Sequence, residues 1–335
     1  MYTGNSYKVT EFIYWTRRSI FWLLLLAIIP TVLYQVVNVK WLSVPWPVVA
    51  LLGTATAFIV GFKNLQTYNR TWEARQIWGG AMSSSRAWAL MCRDFIEDPA
   101  RAKEIIYRHF AWLTALRYQL RADRSWEAIN KSYNREYKKF YSIPEKEIPI
   151  EVELSKYISK EELTKILPKN NRAIQLLSIQ SNALRKLYDE GMLDNFRFMG
   201  MFNALSQFSD HQGKSERIKN FPYPRQYATI NSLFIRLFCI LLPFALLGEF
   251  DKLNNVVSGF LSGYMVWLVI PFSVLISWVY TSLDQVGEST ENPFEGSPND
   301  VPISQMSRTV EIDIREMLGE TELPAAIQPN NNIVL

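Results

Sequence analysis

The chain has 335 residues and a formal net charge of +4, with only two cysteines and two histidines. Those counts are too small for a disulfide framework or a His-rich metal centre. The sequence also lacks a phosphate-binding loop, a GxGxxG fingerprint and the HExxH and GxSxG motifs, so it gives no support to an enzyme. Basic residues alternate with acidic ones instead of forming one stripe, which argues against nucleic-acid binding.

The chain contains four apolar runs. Residues 19–37 and 46–62 lie near the amino end and contain no acid or base. Each approaches the ~20 residues that cross a ~30 Å hydrocarbon layer. Two further runs, 233–247 and 256–280, follow much later, and only Arg236 interrupts the first of them. The sequence therefore predicts four transmembrane helices, and an even number places both termini on the same side.

Basic residues predict which side that is. Arg17 and Arg18 precede the first run, and Lys63 and Arg70 follow the second, so these four residues lie on one side of the membrane. The two predicted connections on the other side hold one lysine each. The segment 64–231 adds 27 Lys and Arg against 19 Asp and Glu, a net charge of +8. Because basic loops stay in the cytoplasm, both termini and this segment are predicted to be cytoplasmic.

The segment 64–231 is predicted to be mostly helical. Apolar residues recur at helical intervals in 71–92 and 102–120, and further helices are expected at 159–167, 172–190 and 193–212. Residues 142–150 contain Pro144 and Pro149 without a clear period, which favours a loop or an exposed insertion. Most apolar side chains on these helices are interpreted as core.

The tail has the opposite charge. Residues 281–335 hold ten acids against Arg308 and Arg315, a net charge of −8. This charge is complementary to the +8 of residues 64–231, which favours docking of the tail on the cytoplasmic helices of the same chain or of a neighbour. The alternative is an acidic tail that stays in solvent. Residues 301–318 have the pattern of a helix, and residues from Gly319 onward look like an extended strap that would fit an oligomer.

One row of side chains in the second apolar run is a candidate functional site. Thr54, Phe58 and Phe62 recur every fourth residue. At ~3.6 residues per turn they share one helix face, with ~12 Å between the first and the last. A row of this kind could line a pore.

Several segments resemble the bestrophin family. The stretch 281–314 resembles the family signature, most distinctively from Asn292 to Asp300, and Gly61 and Phe62 with Phe58 resemble its pore-helix motif. Residues 216–218 and 242–244 are also similar, and the resemblance runs in order from about residue 7 to about residue 324.

This resemblance implies an all-α membrane protein that forms a homopentameric ion channel around a central pore. Each subunit would have four transmembrane helices that continue into a cytoplasmic helical bundle, in the inner (plasma) membrane of a bacterium. The expected segments are 1–63 with the first two transmembrane helices and the pore neck, 64–231 as the cytoplasmic helices, 232–280 with the last two transmembrane helices, and 281–335 as the acidic segment and strap. The expected partners are further copies of the chain, small monovalent ions and lipid; no cofactor is implied.

The resemblance also assigns roles to individual residues. Thr54, Phe58 and Phe62 would form three stacked rings, which gate by excluding water or by passing a partly hydrated ion. A second, cytoplasmic constriction in the family falls on a helix that matches residues 195–205. Met199 is the candidate for it and Met201 the alternative, while ordinary packing stays open for both.

Calcium binding is the third role that the resemblance raises. In animal relatives the acidic segment forms a calcium clasp, and Asn292 and Asp300 match two of its positions. Ser289 and Ser297 stand where a Gln and an Asp are expected, and fewer carboxylates attract a hard cation less. The sequence therefore predicts weak or no calcium regulation, with the acidic residues used for capping and hydrogen bonding, and no metal site.

The permeant ion and even conduction remain open at this level. Phenyl rings have a positive edge and a negative face, so Phe58 and Phe62 could favour anions or cations. The basic cytoplasmic segment favours small anions such as chloride, and cation conduction stays possible. The alternative function is a membrane-anchored cytoplasmic scaffold or signalling protein without conductance; a secondary transporter is disfavoured because no inverted repeat is apparent.

Overall fold

The computed structural model describes residues 1–257 and 262–335, without the side chains of Asn130, Glu136 and Tyr137. Across these residues the regular structure is helical, and β structure is limited to isolated bridges near the two termini. Four helical segments are long and apolar enough to cross a membrane. The predicted all-α fold with four membrane helices is therefore confirmed.

The first two membrane helices are α1, Val9–Gln35, and α2, Trp46–Phe95, joined through a 3-10 turn at Lys40–Leu42. The sequence predicts a span at 46–62 and a separate helix at 71–92, but the structure joins them into one helix of 50 residues. At ~1.5 Å per residue, α2 is about 75 Å long. Its only proline, Pro47, lies in the first turn, where a missing N–H costs nothing, so the helical hydrogen bonds continue out of the apolar region.

The helices between the second and third membrane helices are α3 Pro99–Arg121, α4 Ser132–Tyr137, α5 Pro144–Glu147, α6 Ile150–Leu154, α7 Lys160–Ile166, α8 Arg172–Asp189 and α9 Asn195–Asn220. Asp98 caps α3 by accepting hydrogen bonds from the amides of Ala100 and Arg101. Asn171 caps α8 through the amide of Ile174, and Asp194 caps α9 through the amide of Arg197.

The last two membrane helices are α10, Arg225–Leu253, and α11, Val269–Ser289, with a 3-10 turn at Met265–Leu268 before α11. The predicted run 256–280 begins too early, and its residues 258–261 lie outside the described residues. Gly263 has a φ of 85°, a left-handed conformation that a helix cannot contain, so α11 starts only after it. The helix also continues nine residues past the predicted end, to Ser289.

Two apolar cores organise the subunit. The larger joins α2, α3, α8, α9 and the final helix α12, Ile303–Met317, and includes the fully buried Trp78, Trp88 and Trp112. A smaller core joins α1, α2, α10 and α11 around Val49, Phe238 and Leu242. Because α2 belongs to both cores, it connects the membrane helices to the helical layer formed by α3, α8, α9 and α12.

The segment 142–150, predicted as a loop or an exposed insertion, is partly buried. Ile143 and Glu145 are buried, and the segment forms the short helices α5 and α6. The Glu145 carboxylate accepts a hydrogen bond from Arg117 Nη1 at 2.7 Å and is also bonded by Ser304 Oγ. These buried partners lie far away in sequence, so local periodicity could not reveal them.

The predicted docking of the acidic tail is confirmed on the same chain. Helix α12 packs against α2 and α3, and Asp313 pairs with Arg86 at 2.6 Å. Beyond Gly319 no helix forms within the described residues, as predicted for an extended segment. Its end returns to the subunit, where Ile333 and Leu335 are buried against Ile129 and Tyr141.

Candidate functional site

Thr54, Phe58 and Phe62 lie together on the uncovered face of α2. The two phenylalanines are 65% and 66% exposed although they stand in an apolar segment. Thr54 donates its hydroxyl hydrogen to the carbonyl of Ala50 at 3.0 Å. The threonine therefore keeps no free donor for an ion or for water, and the whole row has a largely apolar surface.

The face of α2 next to the row is packed tightly against α10 and α11. A Cβ atom added to Gly53 would lie 2.7 Å from Cε2 of Phe238. Tyr280 also donates its hydroxyl hydrogen to the carbonyl of Gly53 at 3.1 Å. Glycine is thus required at this position for close approach, and the packing fixes which face of α2 the row occupies.

An apolar groove of about 750 Å³ runs beside the row. Its floor includes Phe238, Leu242 and Ile276, and the row itself forms one wall. An open apolar groove of this size within membrane helices has to be filled by lipid or by another protein segment.

A buried ion pair lies directly below Phe62. Lys63 Nζ is 2.6 Å from Asp284 Oδ1, and the lysine side chain is 2% exposed. Asn231 Nδ2 donates to the same oxygen at 2.6 Å. The sequence marked Lys63 only as a flanking base; its partners on α10 and α11 are more than 160 residues away, so no local pattern could identify them.

The two methionines considered for a cytoplasmic constriction occupy opposite environments on α9. Met199 is 47% exposed, whereas Met201 is completely buried in the larger core. A side chain inside the core of its own subunit cannot face a lumen, so the structure excludes Met201. Met199 is accessible.

Comparison with known proteins identifies the family. The family model described as "Bacterial/Fungal Bestrophin protein" matches residues 13–316. The chain belongs to the bestrophin family. Members of this family are ion channels and not enzymes, which confirms the prediction that the chain has no enzymatic function. The four apolar helices agree with a bacterial membrane protein.

Individual relatives agree with this bestrophin assignment. The Escherichia coli K12 protein named voltage-dependent anion channel-forming protein YneE is 29% identical over 302 residues, 90% of this chain and 85% of the relative. The Ralstonia nicotianae protein RSc3414, named in the same way, is 24% identical and covers 82% of this chain and 78% of the relative. The crystal structure of a bacterial bestrophin homologue from Klebsiella pneumoniae has a TM-score of 0.75 and 25% identity, covering 90% of this chain and 98% of that one.

The clasp-like positions of this bestrophin are engaged in protein contacts. Asp300 is 1% exposed, pairs with Arg121 and accepts a hydrogen bond from the amide of Gly296 at 2.6 Å. Its other oxygen accepts from the amide of Val301 at 2.6 Å. An arginine therefore supplies the positive charge that this carboxylate needs.

The serines at the remaining clasp positions are used in the same manner. Ser289 Oγ donates to the carbonyl of Val286 at 2.9 Å, and Ser297 Oγ donates to the carbonyl of Ser289 at 3.3 Å. Asn292 is buried, and its Nδ2 has no hydrogen-bond partner within residues 1–257 and 262–335.

A buried acid, Glu295, lies next to the clasp-like positions, and no sequence pattern indicated its burial. Glu295 is 0% exposed and accepts hydrogen bonds from the amides of Ala128 and Ile129, at 2.9 and 3.3 Å, through one oxygen. Burial, together with the charges of Asp300 and Glu127, raises its pKa to about 8. The environment of Glu295 therefore favours its protonated form at neutral pH. The sequence offered only an acid between a phenylalanine and a glycine.

Proposed function

We propose that this bestrophin is a homopentameric channel for small monovalent anions. Thr54, Phe58 and Phe62 would line the narrowest part of a pore on the five-fold axis. The observation that carries the proposal is the exposed aromatic row: two phenylalanines are about two-thirds exposed on a helix whose adjacent face is tightly packed. Within the described part of one subunit, most of each ring has no protein cover.

The apolar groove beside the row supports oligomerisation. A neighbouring copy related by rotation would bring its own α2 against the groove lined by Phe238 and Leu242. Repetition of one heterologous contact around a closed ring generates cyclic symmetry. Assembly would then bury apolar surface and collect the row of every subunit around one axis.

The names of the relatives and the charge below the row support anion passage. Both relatives described above are named voltage-dependent anion channel-forming proteins. A narrow apolar ring opposes water and ions until it widens, and the positive edges of phenyl rings stabilise an anion that has lost part of its hydration shell. The net charge of +8 in residues 64–231 would raise the local anion concentration at the cytoplasmic mouth.

The Phe58 and Phe62 rings can be tested separately from the fold. Purified protein in planar bilayers is expected to conduct chloride, and Phe58→Ala together with Phe62→Ala is expected to increase the current because the ring widens. Leu90→Ala provides a matched control, since Leu90 is also exposed on α2 but lies in the cytoplasmic region. Unchanged current in the double variant would contradict the proposed neck.

Ion selectivity and the absence of conduction are distinguishable outcomes. Under a KCl gradient, the sign of the reversal potential separates chloride passage from potassium passage. No flux from purified protein in liposomes would instead favour the membrane-anchored scaffold.

We further propose that both termini lie in the cytoplasm. Labelling of single cysteines placed near each terminus, in inner-membrane vesicles, would test this.

A further inference from the structure

A second cavity lies apart from the aromatic row. It has a volume of about 470 Å³ and is enclosed by the amino-terminal segment, the beginning of α1, the middle of α2 and the turn at Pro298 and Asn299. This volume is within the ~300–1,000 Å³ typical of small-ligand pockets. Ser289 and Asn299 of the acidic segment border it, and the proposed conduction path does not include it.

Aromatic rings from three segments form the walls of this cavity. The rings of Tyr68 and Trp72 are stacked with an interplanar angle of 12°, and those of Phe12 and Trp15 are 5.8 Å apart. Faces of such rings carry negative electrostatic potential and attract organic cations. The six aromatic residues that line the cavity are Tyr2, Tyr7, Phe12, Trp15, Tyr68 and Trp72.

The cavity also contains a carboxylate with one oxygen that lacks a hydrogen-bond donor among the described residues. Glu11 lines the cavity, and its Oε2 is buried without a hydrogen-bond partner among the residues that the structure describes. A buried carboxylate oxygen without a donor is costly, so a donor from a ligand would be favourable. Arg75 lines the same cavity with an exposed side chain. The pocket therefore offers a negative group and a positive group to a single occupant.

The cavity lies where the membrane helices reach the predicted cytoplasmic surface. Glu11 and Trp15 belong to the first two turns of α1, before Arg17 and Arg18. Trp72 is ten residues beyond Phe62 on α2, which corresponds to ~15 Å along the axis. With the orientation expected from the basic residues, the cavity lies at the cytoplasmic side of the membrane helices, next to the lipid headgroups of the inner leaflet.

We propose that this pocket binds the zwitterionic headgroup of an inner-leaflet phospholipid. The ammonium group would contact the aromatic faces and donate to Glu11, and the phosphate would lie near Arg75. Acyl chains would continue along the membrane helices. This assignment does not depend on conduction through the row of Thr54, Phe58 and Phe62.

Lipid retention tests the proposal directly. The full-length protein is reconstituted in vesicles of equal parts phosphatidylethanolamine and phosphatidylglycerol and extracted with mild detergent, and the lipid bound per subunit is measured by mass spectrometry. The wild type is expected to retain phosphatidylethanolamine in preference. Glu11→Gln keeps the shape but removes the charge, and is expected to reduce this preference about tenfold, as for one charge-assisted hydrogen bond.

Two further variants keep the test independent of folding defects. Trp72→Leu is expected to weaken retention of phosphatidylethanolamine, because it removes an aromatic wall. Glu249→Gln removes an acid at the opposite end of the membrane helices and is expected to leave retention unchanged. Equal retention of phosphatidylethanolamine in the wild type and Glu11→Gln, at equal unfolding temperature, would overturn the proposal.

A competition experiment distinguishes a bound lipid from a bound soluble ligand. Phosphoethanolamine without acyl chains is expected not to displace the bound lipid at millimolar concentration. Displacement at equal concentrations of lipid and phosphoethanolamine would instead assign the pocket to a soluble zwitterion and would overturn the lipid assignment. Because no ion flux is measured, a failure of this proposal is distinct from a failure of the channel proposal.

Discussion

The Lys63 ammonium and the Asp284 carboxylate form a buried ion pair at 2.6 Å, one residue below the aromatic row of α2. Asn231 donates a further charge-assisted hydrogen bond to the same carboxylate oxygen, so α2, α10 and α11 are tied together at one point. A shift of α10 or α11 would therefore be transmitted to Phe62 through Lys63.

Breaking this pair from one side is expected to be more harmful than removing both charges. Asp284→Asn leaves the Lys63 ammonium buried without an anion and is expected to cost about 3–5 kcal/mol in the free energy of unfolding. Combining it with Lys63→Met removes the stranded charge and is expected to restore part of that loss. Denaturant unfolding in detergent measures both variants. Equal stability of the single and double variants would contradict a buried ion pair at this position.

Close packing of α2 against α10 provides a second prediction. Gly53→Ala places a methyl group 2.7 Å from the ring of Phe238, which is 4% exposed and also packs against Tyr280 at a centroid distance of 4.7 Å. The ring has little room to move, so α2 is expected to shift, with a loss of about 1–3 kcal/mol. Because Thr54 is the next residue, the single-channel current is expected to change as well.

Gly79→Ala is the matched control for this substitution. Gly79 is on the same helix, and among the described residues no atom beyond the adjacent part of that helix lies within 4 Å of the position that its Cβ would occupy. Alanine favours helix more than glycine by about 1 kcal/mol, so stability should stay constant or increase. Loss of stability in Gly79→Ala of the size seen for Gly53→Ala would show that packing against Phe238 is not the cause.

The sequence predicted those features that depend on local composition. Apolar length identified the four membrane helices, and helical periodicity placed a helix at 172–190, where α8 runs from Arg172 to Asp189. Residue spacing also placed Thr54, Phe58 and Phe62 on one helix face, and the structure leaves that face uncovered.

Features that depend on distant partners were not accessible from the sequence. Glu145 belongs to a segment predicted as a loop or an exposed insertion, yet its ion pair with Arg117 is buried. The start of α11 was misplaced because hydropathy measures compatibility with lipid and not backbone conformation, which changes at Gly263. Glu295 showed no signal, since only the folded chain brings it beside Asp300 and Glu127.

Met199 and Met201 allow a test of the proposed cytoplasmic constriction. Met201→Ala removes a completely buried side chain and is expected to cost about 2–5 kcal/mol in the free energy of unfolding. Met199 is 47% exposed in the subunit, so Met199→Ala is expected to change stability by less than about 1 kcal/mol. If Met199 lines the conduction path, only this variant combines normal stability with an altered current. Normal current in stable Met199→Ala would remove Met199 from the path.

Protonation of Glu295 leads to a pH-dependent prediction. Burial and the nearby charges of Asp300 and Glu127 raise its pKa from the ordinary value of 4.5 to about 8 in the folded chain. Between these values the unfolded chain loses the proton while the folded chain keeps it, so stability falls as pH rises. Below pH 4.5 this acid causes no loss of folding stability, and above pH 8 its full destabilising effect is reached.

Glu295→Gln is expected to remove that pH dependence. The glutamine amide can still accept from the amides of Ala128 and Ile129, and it carries no charge to bury. Relative to the wild type, the variant should gain about 1 kcal/mol per pH unit between about pH 5 and pH 8. Unfolding temperatures in detergent at several pH values measure the difference. Glu190→Gln, which removes an exposed acid, controls for the change in net charge. A difference that stays constant with pH would mean that Glu295 is already ionised in the folded protein, and its buried position would then require a cationic partner.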